Sequence, residues 1–147
     1  DNEARFSTKD FGAYYAAKDL QTAVLETVHH RALFMQATKE PAQDIDQLVV
    51  LADVAGDLLD IRAMKSSLKE IYSATDYTES QKFAAHHRGK GGLGVAYQSV
   101  RNKSGECMAI WRARIISNPR EDRHLSYRWD GNKITGYYDK QDYQSLS

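Results

Sequence analysis

Residues 5–31 constrain the fold more than any other stretch, because they combine a turn, a strand and a helix start in one short segment. Gly12 can adopt backbone angles that other residues avoid, and residues 13–17, which include two tyrosines, are typical of a short strand. Asp19 then stands where a helix N-cap is expected, because its carboxylate can accept hydrogen bonds from unpaired amides of the first turn. The stretch therefore predicts a glycine turn, a short strand and a capped helix, in that order.

The predicted helix begins at Leu20 and gathers its apolar residues on one face. That face consists of Leu20, Ala23, Val24, Thr27, Val28 and Phe34. Glu26 lies at the edge of the face, so we expect its carboxylate to be partly shielded from water. His30 follows four residues later and is placed to pair with Glu26.

The rest of the chain predicts further strands and one clear helix. The apolar run within residues 45–54 contains consecutive β-branched residues and predicts a strand covered on both faces. Residues 77–88 predict a helix with Thr78 as its cap. Later strands are predicted at residues 93–100, with Ser99 near the end, and at residues 107–116, 125–129 and 133–138, with Asp130 and Gly131 as a hairpin turn. This order predicts a single α+β domain over residues 1–147, with a mixed, largely antiparallel sheet.

Composition narrows the function classes. The chain of 147 residues has 20 lysines and arginines against 20 aspartates and glutamates, so no excess positive charge supports binding to nucleic acid. Its single cysteine, Cys107, excludes an internal disulfide framework, fits a reducing compartment and has apolar neighbours that predict a buried strand thiol. No apolar run approaches a membrane span and no signal peptide is visible, so we expect no contact with a membrane.

The most glycine-rich segment, residues 88–94, has two interpretations. Its glycines and basic residues suit a loop that holds a phosphate, but the spacing differs from that of a P-loop and no strand leads directly into it. A sharp connection between a helix and a strand needs the same residue types. The pattern favours the connection.

The histidines do not form a metal-binding pattern. Glu26 and His29 have the spacing used in metal sites of helical bundles, but the motif occurs once here and such sites need it twice. His86 and His87 end another predicted helix, where a cation suits the helix C-terminus. We therefore predict no metal site, and no Ser/His/acid triad either, since Ser99 lacks the nucleophile-elbow pattern.

Several segments together resemble the RES domain, a family named for an arginine, a glutamate and a serine. They are RFS at residues 5–7, FGAYYAA at 11–17, TAVLETVHH at 22–30, YQSVR at 97–101, GECMAIWRAR at 105–114 and HLSYRWDG at 124–131. The segments follow one another along nearly the whole chain, which is more specific than one short motif. The family usually carries a further arginine on its first strand, and this sequence has no matching residue upstream of Arg5.

The resemblance implies a fold similar to that of ADP-ribosyltransferases, in which a split sheet forms a cleft for NAD. It also implies that Arg5 holds the pyrophosphate, that Tyr15 packs on the nicotinamide or ribose, that Glu26 binds the ribose and stabilises its positive charge in the transition state, and that Ser99 hydrogen-bonds the ribose or an incoming phosphate. Each residue taken alone has an ordinary interpretation, such as a solvated glutamate or a core tyrosine. Tyr14 precedes Tyr15, and one step along a strand changes the face, so the sequence leaves open which ring faces the site.

The implied activity is that of a bacterial toxin that degrades NAD+ by hydrolysis or phosphorolysis of the nicotinamide–ribose bond. No cofactor is implied, and inorganic phosphate is a co-substrate in the second case. The implied partner is a helix-turn-helix antitoxin of the Xre type, and the implied location is the bacterial cytoplasm, or that of a target cell if the domain belongs to a larger effector. ADP-ribosyl transfer to a protein and a catalytically silent module that binds a nucleotide or partner stay open, as does the oligomeric state, a homodimer included.

Overall fold

The computed structural model describes residues 4–141 together with residues 144 and 146. Its elements are β1 (Tyr14–Ala17), α1 (Leu20–Ala37), β2 (Gln43–Val54), β3 (Leu59–Asp60), α2 (Thr78–Gly89), β4 (Gly94–Gln98), β5 (Glu106–Ile110), a 3-10 turn (Ala113–Ile115), β6 (Ile116–Trp129) and β7 (Ile134–Lys140). They fall into two compact units. The first unit comprises the chain up to Leu25 and Ala55–Ile115, and the second comprises Glu26–Val54 and the chain from Ile116 onward.

The first unit is built on a sheet with the strand order β1-β5-β4-β3. β3 and β4 run parallel, and the other neighbouring strands run antiparallel. Alternate side chains of β4 and β5 are buried, so the two strands line one apolar layer. The buried core consists of Phe6, Ile61, Tyr72, Ala84, Val95, Tyr97, Cys107, Ala109 and Trp111. The predicted burial of Cys107 is confirmed, although its strand ends at Ile110 and a 3-10 turn follows where a longer strand was predicted.

The start of α1 follows the sequence prediction, whereas its buried face does not. Asp19 Oδ1 accepts the Thr22 N–H at 2.8 Å, which confirms Asp19 as the cap. The prediction that Phe34 lies on the buried face is wrong, because its side chain is 56% exposed while Met35 is 4% exposed. At about 100° per residue, Met35 lies within about 20° of the buried Val24 around the helix axis, and Phe34 is turned about 80° away.

The predicted cap of α2 is also wrong. Thr78 is the first helical residue, and the N-cap position belongs to Tyr77, whose side chain makes no cap hydrogen bond. Asp76 Oδ1 accepts the Thr78 N–H at 3.0 Å instead, so the carboxylate that satisfies the first turn lies two residues earlier than predicted. His86 and His87 stand in the last turn, as predicted.

The glycine-rich segment forms the predicted sharp connection from α2 to β4. Gly91 has a φ of 86°, which favours glycine, and the Gly92 N–H donates to the His87 carbonyl oxygen at 2.9 Å. A Cβ atom on Gly94 would stand 2.4 Å from the Ala109 carbonyl oxygen, so the strand pairing requires glycine there.

The second unit contains an antiparallel sheet with the strand order β2-β6-β7. The buried residues of this unit are Met35, Ile45, Leu125, Ser126, Tyr127 and Trp129. The predicted hairpin between β6 and β7 is confirmed, with Gly131 at a φ of 99° and Asp130 Oδ1 accepting the N–H groups of Asn132 and Lys133 at 2.8 Å each.

The prediction that the run within residues 45–54 is covered on both faces is wrong. β2 alternates between more and less buried positions, and Leu48 and Val50 are 42% and 45% exposed. β2 pairs only with β6 in the described sheet and runs antiparallel to it, and such sheets often leave one face to solvent.

The described residues thus form an α+β fold with mostly antiparallel, mixed strand pairing, as predicted. The similarity to ADP-ribosyltransferases stays a prediction, and so does the single domain over residues 1–147. Among the described residues, no helix is both long enough and apolar enough to cross a membrane.

Candidate functional site

Arg5 is buried in the first unit and hydrogen-bonds a turn that is distant in the sequence. The residue is only 7% exposed, and its Nη1 donates to the carbonyl oxygens of Ile71 at 2.9 Å and Ser73 at 2.6 Å. The guanidinium also stands over the Tyr77 ring, with Cζ 4.9 Å from the ring centroid. These contacts fix the arginine in one place and hold residues 71–77 against the N-terminal segment.

The backbone around Arg5 is held from two further sides. Phe6 is fully buried, and its carbonyl oxygen accepts the Trp111 Nε1–H at 3.0 Å. Gln81 Nε2 donates to the carbonyl oxygens of Ala4 and Ser7, each at 3.2 Å. These hydrogen bonds come from the residue that follows β5 and from α2. The backbone of residues 4–7 is therefore positioned by tertiary contacts.

Tyr15 joins this segment through its hydroxyl group. The hydroxyl oxygen accepts the Phe6 N–H at 2.9 Å and lies 2.9 Å from Ser7 Oγ. Burial raises the pKa of Tyr15 above its ordinary value, so the hydroxyl is protonated at neutral pH. The residue is still 38% exposed, so Tyr15 is anchored by its oxygen while part of its side chain remains open. Tyr14 precedes it and points to the other face of β1.

Ser99 follows the last residue of β4 and organises a short loop. It is fully buried, and its Oγ accepts the N–H groups of Arg101 at 3.1 Å and Asn102 at 2.9 Å. The Ser99 N–H donates to the Gly105 carbonyl oxygen at 2.9 Å and closes the loop. Asn102 Nδ2 then donates to Thr22 Oγ1 at 2.9 Å, so the loop is joined to the first turn of α1.

Arg101 connects the same loop to the turn that Arg5 holds. Its Nη2 donates to the Ala74 carbonyl oxygen at 2.7 Å and lies 3.4 Å from the Tyr77 hydroxyl oxygen. The side chains of Arg5 and Arg101 therefore meet the same residues 71–77. Sequence reasoning missed Arg101, although it stands in the YQSVR segment two residues after Ser99.

Glu26 belongs to the second unit, where α1 continues. Its side chain is 23% exposed, and its Oε2 lies 4.0 Å from His30 Nε2, one helical turn later. The carboxylate is thus partly shielded and has the histidine neighbour that the sequence predicts.

The structure brings three of the four predicted site residues into one unit. The Tyr15 hydroxyl accepts a hydrogen bond from Phe6, next to Arg5 in the chain. Arg101, two residues after Ser99, hydrogen-bonds the same turn, residues 71–77, that Arg5 binds. Glu26 is described with the other unit. The roles assigned to all four residues, and the absence of a cofactor, stay predictions. Ser7 was missed as a partner of Tyr15, although it lies in the same RFS motif as Arg5.

His87 of α2 lies beside a cavity that none of the four predicted site residues lines. His87 packs its ring 4.4 Å from that of Phe83, and burial lowers the pKa of His87, so the neutral imidazole is favoured. A cavity of about 340 Å³ is lined by His87, Lys90 and Trp111 among others. Within the described residues, no group of three or more histidine, cysteine, aspartate or glutamate side chains could hold a metal ion.

Comparison with known proteins places the chain in a family. A match to the RES domain covers residues 1–130, and the chain therefore belongs to the RES domain family. It is also 26% identical, over 134 residues, to a protein of Sinorhizobium fredii named "Uncharacterized protein y4oC". The match covers 91% of this chain and 55% of the relative, so the chain spans about half the length of that protein.

Proposed function

We propose that this chain is an enzymatic toxin that degrades NAD+ at the bond between nicotinamide and ribose. Membership of a family associated with toxins and with NAD supports the proposal. The observation that carries it is the hydrogen bonding of the Tyr15 hydroxyl to Phe6 and Ser7, the two residues that follow Arg5, because an aromatic side chain held near a fixed guanidinium suits a ligand that has both a flat base and a diphosphate.

The proposed reaction breaks the bond between ribose C1′ and the ring nitrogen of nicotinamide. The electron pair of that bond goes to the nitrogen, and nicotinamide leaves as a neutral molecule while positive charge develops on the ribose, as in glycoside cleavage. Water then adds its oxygen to C1′ and releases a proton, which yields ADP-ribose. Inorganic phosphate attacking in its place yields the 1-phosphate of ADP-ribose.

Glu26 is assigned to stabilise the ribose cation. A carboxylate that is partly shielded from water interacts more strongly with a developing charge than a fully solvated one. Its side chain is 23% exposed, and His30 stands 4.0 Å away, where it can orient the carboxylate.

Tyr15 is assigned to hold the base or ribose by its ring. Its hydroxyl oxygen is engaged by Phe6 and Ser7, and its raised pKa keeps the proton in place. The ring is therefore the part of Tyr15 that a ligand meets, and proton transfer by its hydroxyl is not part of the proposed mechanism.

Ser99 is assigned to the ribose or to an incoming phosphate. Because Ser99 is fully buried, a direct contact with a ligand requires residues 99–105 to move. In the structure its Oγ accepts the N–H groups of Arg101 and Asn102.

We further propose that a helix-turn-helix antitoxin of the Xre type neutralises the toxin in the cytoplasm. A carboxylate of the antitoxin would suit the guanidinium of Arg5. Co-expression should restore growth of cells that produce the toxin, and the purified complex should lose activity toward NAD+. A complex that keeps full activity would contradict this mode of inhibition.

The test of the activity is incubation of the purified protein with NAD+, with and without phosphate, followed by product analysis. We expect free nicotinamide in both cases, with ADP-ribose or its 1-phosphate as the second product. A chelator should leave the rate unchanged, because no metal takes part in the proposed mechanism. NAD+ that stays intact after long incubation would refute the proposal, and consumption that needs an added protein acceptor would favour ADP-ribosyl transfer.

A further inference from the structure

Three positively charged side chains stand where α2 ends and where the chain leaves β5. Arg88 is the penultimate residue of α2, Lys90 follows the helix, and Arg112 lies two residues after β5. Arg112 Nη2 donates to the Arg88 carbonyl oxygen at 3.2 Å, so the two segments meet. All three residues belong to the first unit, and none of them is assigned to NAD+. We call these three residues the basic surface.

No carboxylate of the described residues pairs with the basic surface. None of the ion pairs among these residues includes Arg88, Lys90 or Arg112. The Arg88 guanidinium donates no hydrogen bond to another described residue, and its Nε is buried without an acceptor. Arg112 donates through Nη2 alone, so its Nε and Nη1 have no acceptor in this part of the chain. The surface therefore offers charge and hydrogen-bond donors to an acceptor outside the chain.

The C-terminus of α2 accounts for only part of this positive charge. A helix end carries about half a negative charge, located on its last carbonyl groups. Those groups are already hydrogen-bonded, because the His87 carbonyl oxygen accepts the Gly92 N–H and the Arg88 carbonyl oxygen accepts the Gly91 N–H. Three cations exceed half a charge several-fold, so most of the positive charge remains for another anion.

The two arginines of the basic surface are held in place. The Cζ atom of Arg88 stands 5.1 Å from the centroid of the Phe11 ring, and Arg112 is fixed by its hydrogen bond to α2. Both arginines are half-buried, whereas Lys90 is exposed. A partly shielded charge attracts an anion more strongly than a fully solvated one, and a fixed guanidinium loses less freedom when it binds.

The cavity of about 340 Å³ beside His87 adjoins the basic surface, because Lys90 is one of its lining residues. Its volume falls within the range of small-ligand pockets. Most of its wall is apolar, and the large apolar side chains are Leu58, Leu59, Leu93 and Trp111. Asp57 is the one carboxylate among the lining residues, so the three cations outnumber it. The cavity suits an apolar side chain that arrives with negatively charged neighbours.

We infer that the basic surface docks an acidic segment of a partner protein, whose carboxylates pair with Arg88, Lys90 and Arg112 while an apolar side chain enters the cavity. A guanidinium fork matches the two oxygens of a carboxylate. A polypeptide supplies carboxylates and an apolar side chain within a few residues, which a simple anion does not. Nucleic acid fits less well, because the cavity wall is apolar and the chain has no net positive charge.

The direct test is the binding of a fluorescein-labelled pentapeptide that has two glutamates on each side of a leucine. Its anisotropy is measured during titration with the full chain at about 0.15 M salt, and we expect a Kd below about 1 mM. Arg112→Gln can still donate to the Arg88 carbonyl oxygen but loses the charge and the fork, so it should weaken binding about tenfold. Lys90→Gln removes an exposed charge and should weaken binding about two- to fivefold.

Lys103→Gln is the matched control for Lys90→Gln. Both lysines are exposed, but Lys90 precedes β4 and Lys103 follows it, and the five residues of β4 span about 15 Å. That distance exceeds the Debye length of about 8 Å at this salt concentration, so Lys103→Gln should leave the affinity almost unchanged. If Arg112→Gln proves unfolded by circular dichroism, Lys90→Gln decides, and an affinity equal to that of Lys103→Gln would overturn the inference.

Altered probes separate the charges from the cavity. A peptide with glutamines in place of the glutamates should lose binding, and one with serine in place of leucine should bind several-fold more weakly. No binding of the original peptide, or equal binding of either altered peptide, would overturn the inference. Tighter binding of a single-stranded DNA pentanucleotide than of the peptide would assign the surface to nucleic acid and overturn it too. Excess NAD+ should leave the peptide bound, and its displacement would contradict a surface separate from the NAD+ site.

Discussion

The two units differ in how deeply some of their polar side chains are buried. In the first unit, Arg5 and Ser99 are buried and bind backbone groups of turns and loops. In the second unit, exposed ion pairs among the described residues join different strands of the sheet. These pairs are Arg128 with Asp44, Lys140 with Asp46, Arg123 with Asp139, and Arg120 with Asp53. A buried polar atom without a partner costs far more than an exposed one, so the first unit fixes its geometry and the second tolerates change.

Glu26 lies in the second unit, and its carboxylate is partly shielded, with a side chain that is 23% exposed. We expect Glu26→Gln to lower kcat for NAD+ by on the order of 10²–10³-fold, because it removes the charge that the proposed mechanism uses to stabilise the ribose cation. KM and the melting temperature should change little, since the interaction belongs to the transition state and glutamine keeps the size and most of the hydrogen-bonding capacity of the side chain.

Steady-state kinetics and a thermal melt of Glu26→Gln provide the measurement, and Glu121→Gln is the control at an exposed position of the same unit. The same measurements on Arg5→Ala should give a different result. Arg5→Ala should raise KM as well as lower kcat, because a diphosphate is charged throughout the reaction. A normally folded Glu26→Gln protein that cleaves NAD+ at the unchanged rate would sink the assignment.

A pair of glycine substitutions compares the rigidity of the two units. Gly105→Ala would place a Cβ atom 2.3 Å from Thr22 Oγ1, so we expect a loss of about 1–3 kcal/mol in the free energy of unfolding. Gly136→Ala in β7 meets nothing within 4 Å and should change it by less than about 0.5 kcal/mol. Urea unfolding measures both, and equal losses would contradict the contrast between the units.

Removal of one hydroxyl tests the anchoring of Tyr15. Tyr15→Phe leaves the Phe6 N–H without its acceptor and Ser7 Oγ without its neighbour, so we expect a loss of about 1 kcal/mol in stability. The ring is retained, so cleavage of NAD+ should continue with a modest rise in KM. Tyr138→Phe serves as the control, since Tyr138 is 69% exposed. A Tyr15→Phe protein without any activity would show that the hydroxyl itself takes part in the chemistry.

The smallest change in stability is expected from substitutions in an exposed ion pair of the first unit. This pair tests whether burial of a residue or its location in the first unit determines how much a substitution destabilises the fold. Arg62 donates to both oxygens of Asp60, at 2.8 and 2.9 Å, and these hydrogen bonds lower the pKa of Asp60 to about 2. A lowered pKa stabilises the fold above the unfolded value of 3.8, and this contribution disappears as the pH falls from about 4 to about 2.

Asp60→Asn should therefore slightly lower stability at neutral pH and flatten its decline in that acid range, and Arg62→Gln should do the same. Acid titration of the unfolding midpoint provides the measurement. A loss in the free energy of unfolding as large as that of Gly105→Ala would mean that location in the first unit, and not burial, determines the loss of stability.

Sequence patterns predicted the features that depend on neighbours in the chain. Asp19 caps α1 because the cap needs only the three residues that follow it, and Asp130 with Gly131 makes the hairpin turn for the same reason. The prediction of Thr78 as the cap of α2 and the prediction that β2 is covered on both faces were wrong. The carboxylate of Asp76 replaces the predicted cap because of the path that the chain takes into the helix. The exposure of Leu48 depends on what packs against the strand.

The sequence by itself determined the membership of the RES family, the α+β class and the residues to which the site is assigned. Only the tertiary structure decided how those residues are held. Arg5 binds Ser73 across 68 positions of sequence, and Arg101 binds Ala74 across 27, so no local pattern could bring both arginines to one turn. The physical reason is that a buried guanidinium requires hydrogen-bond acceptors, and here the fold supplies them as backbone carbonyl oxygens. Every residue has a backbone carbonyl group, so the sequence does not indicate which of them will accept the hydrogen bond.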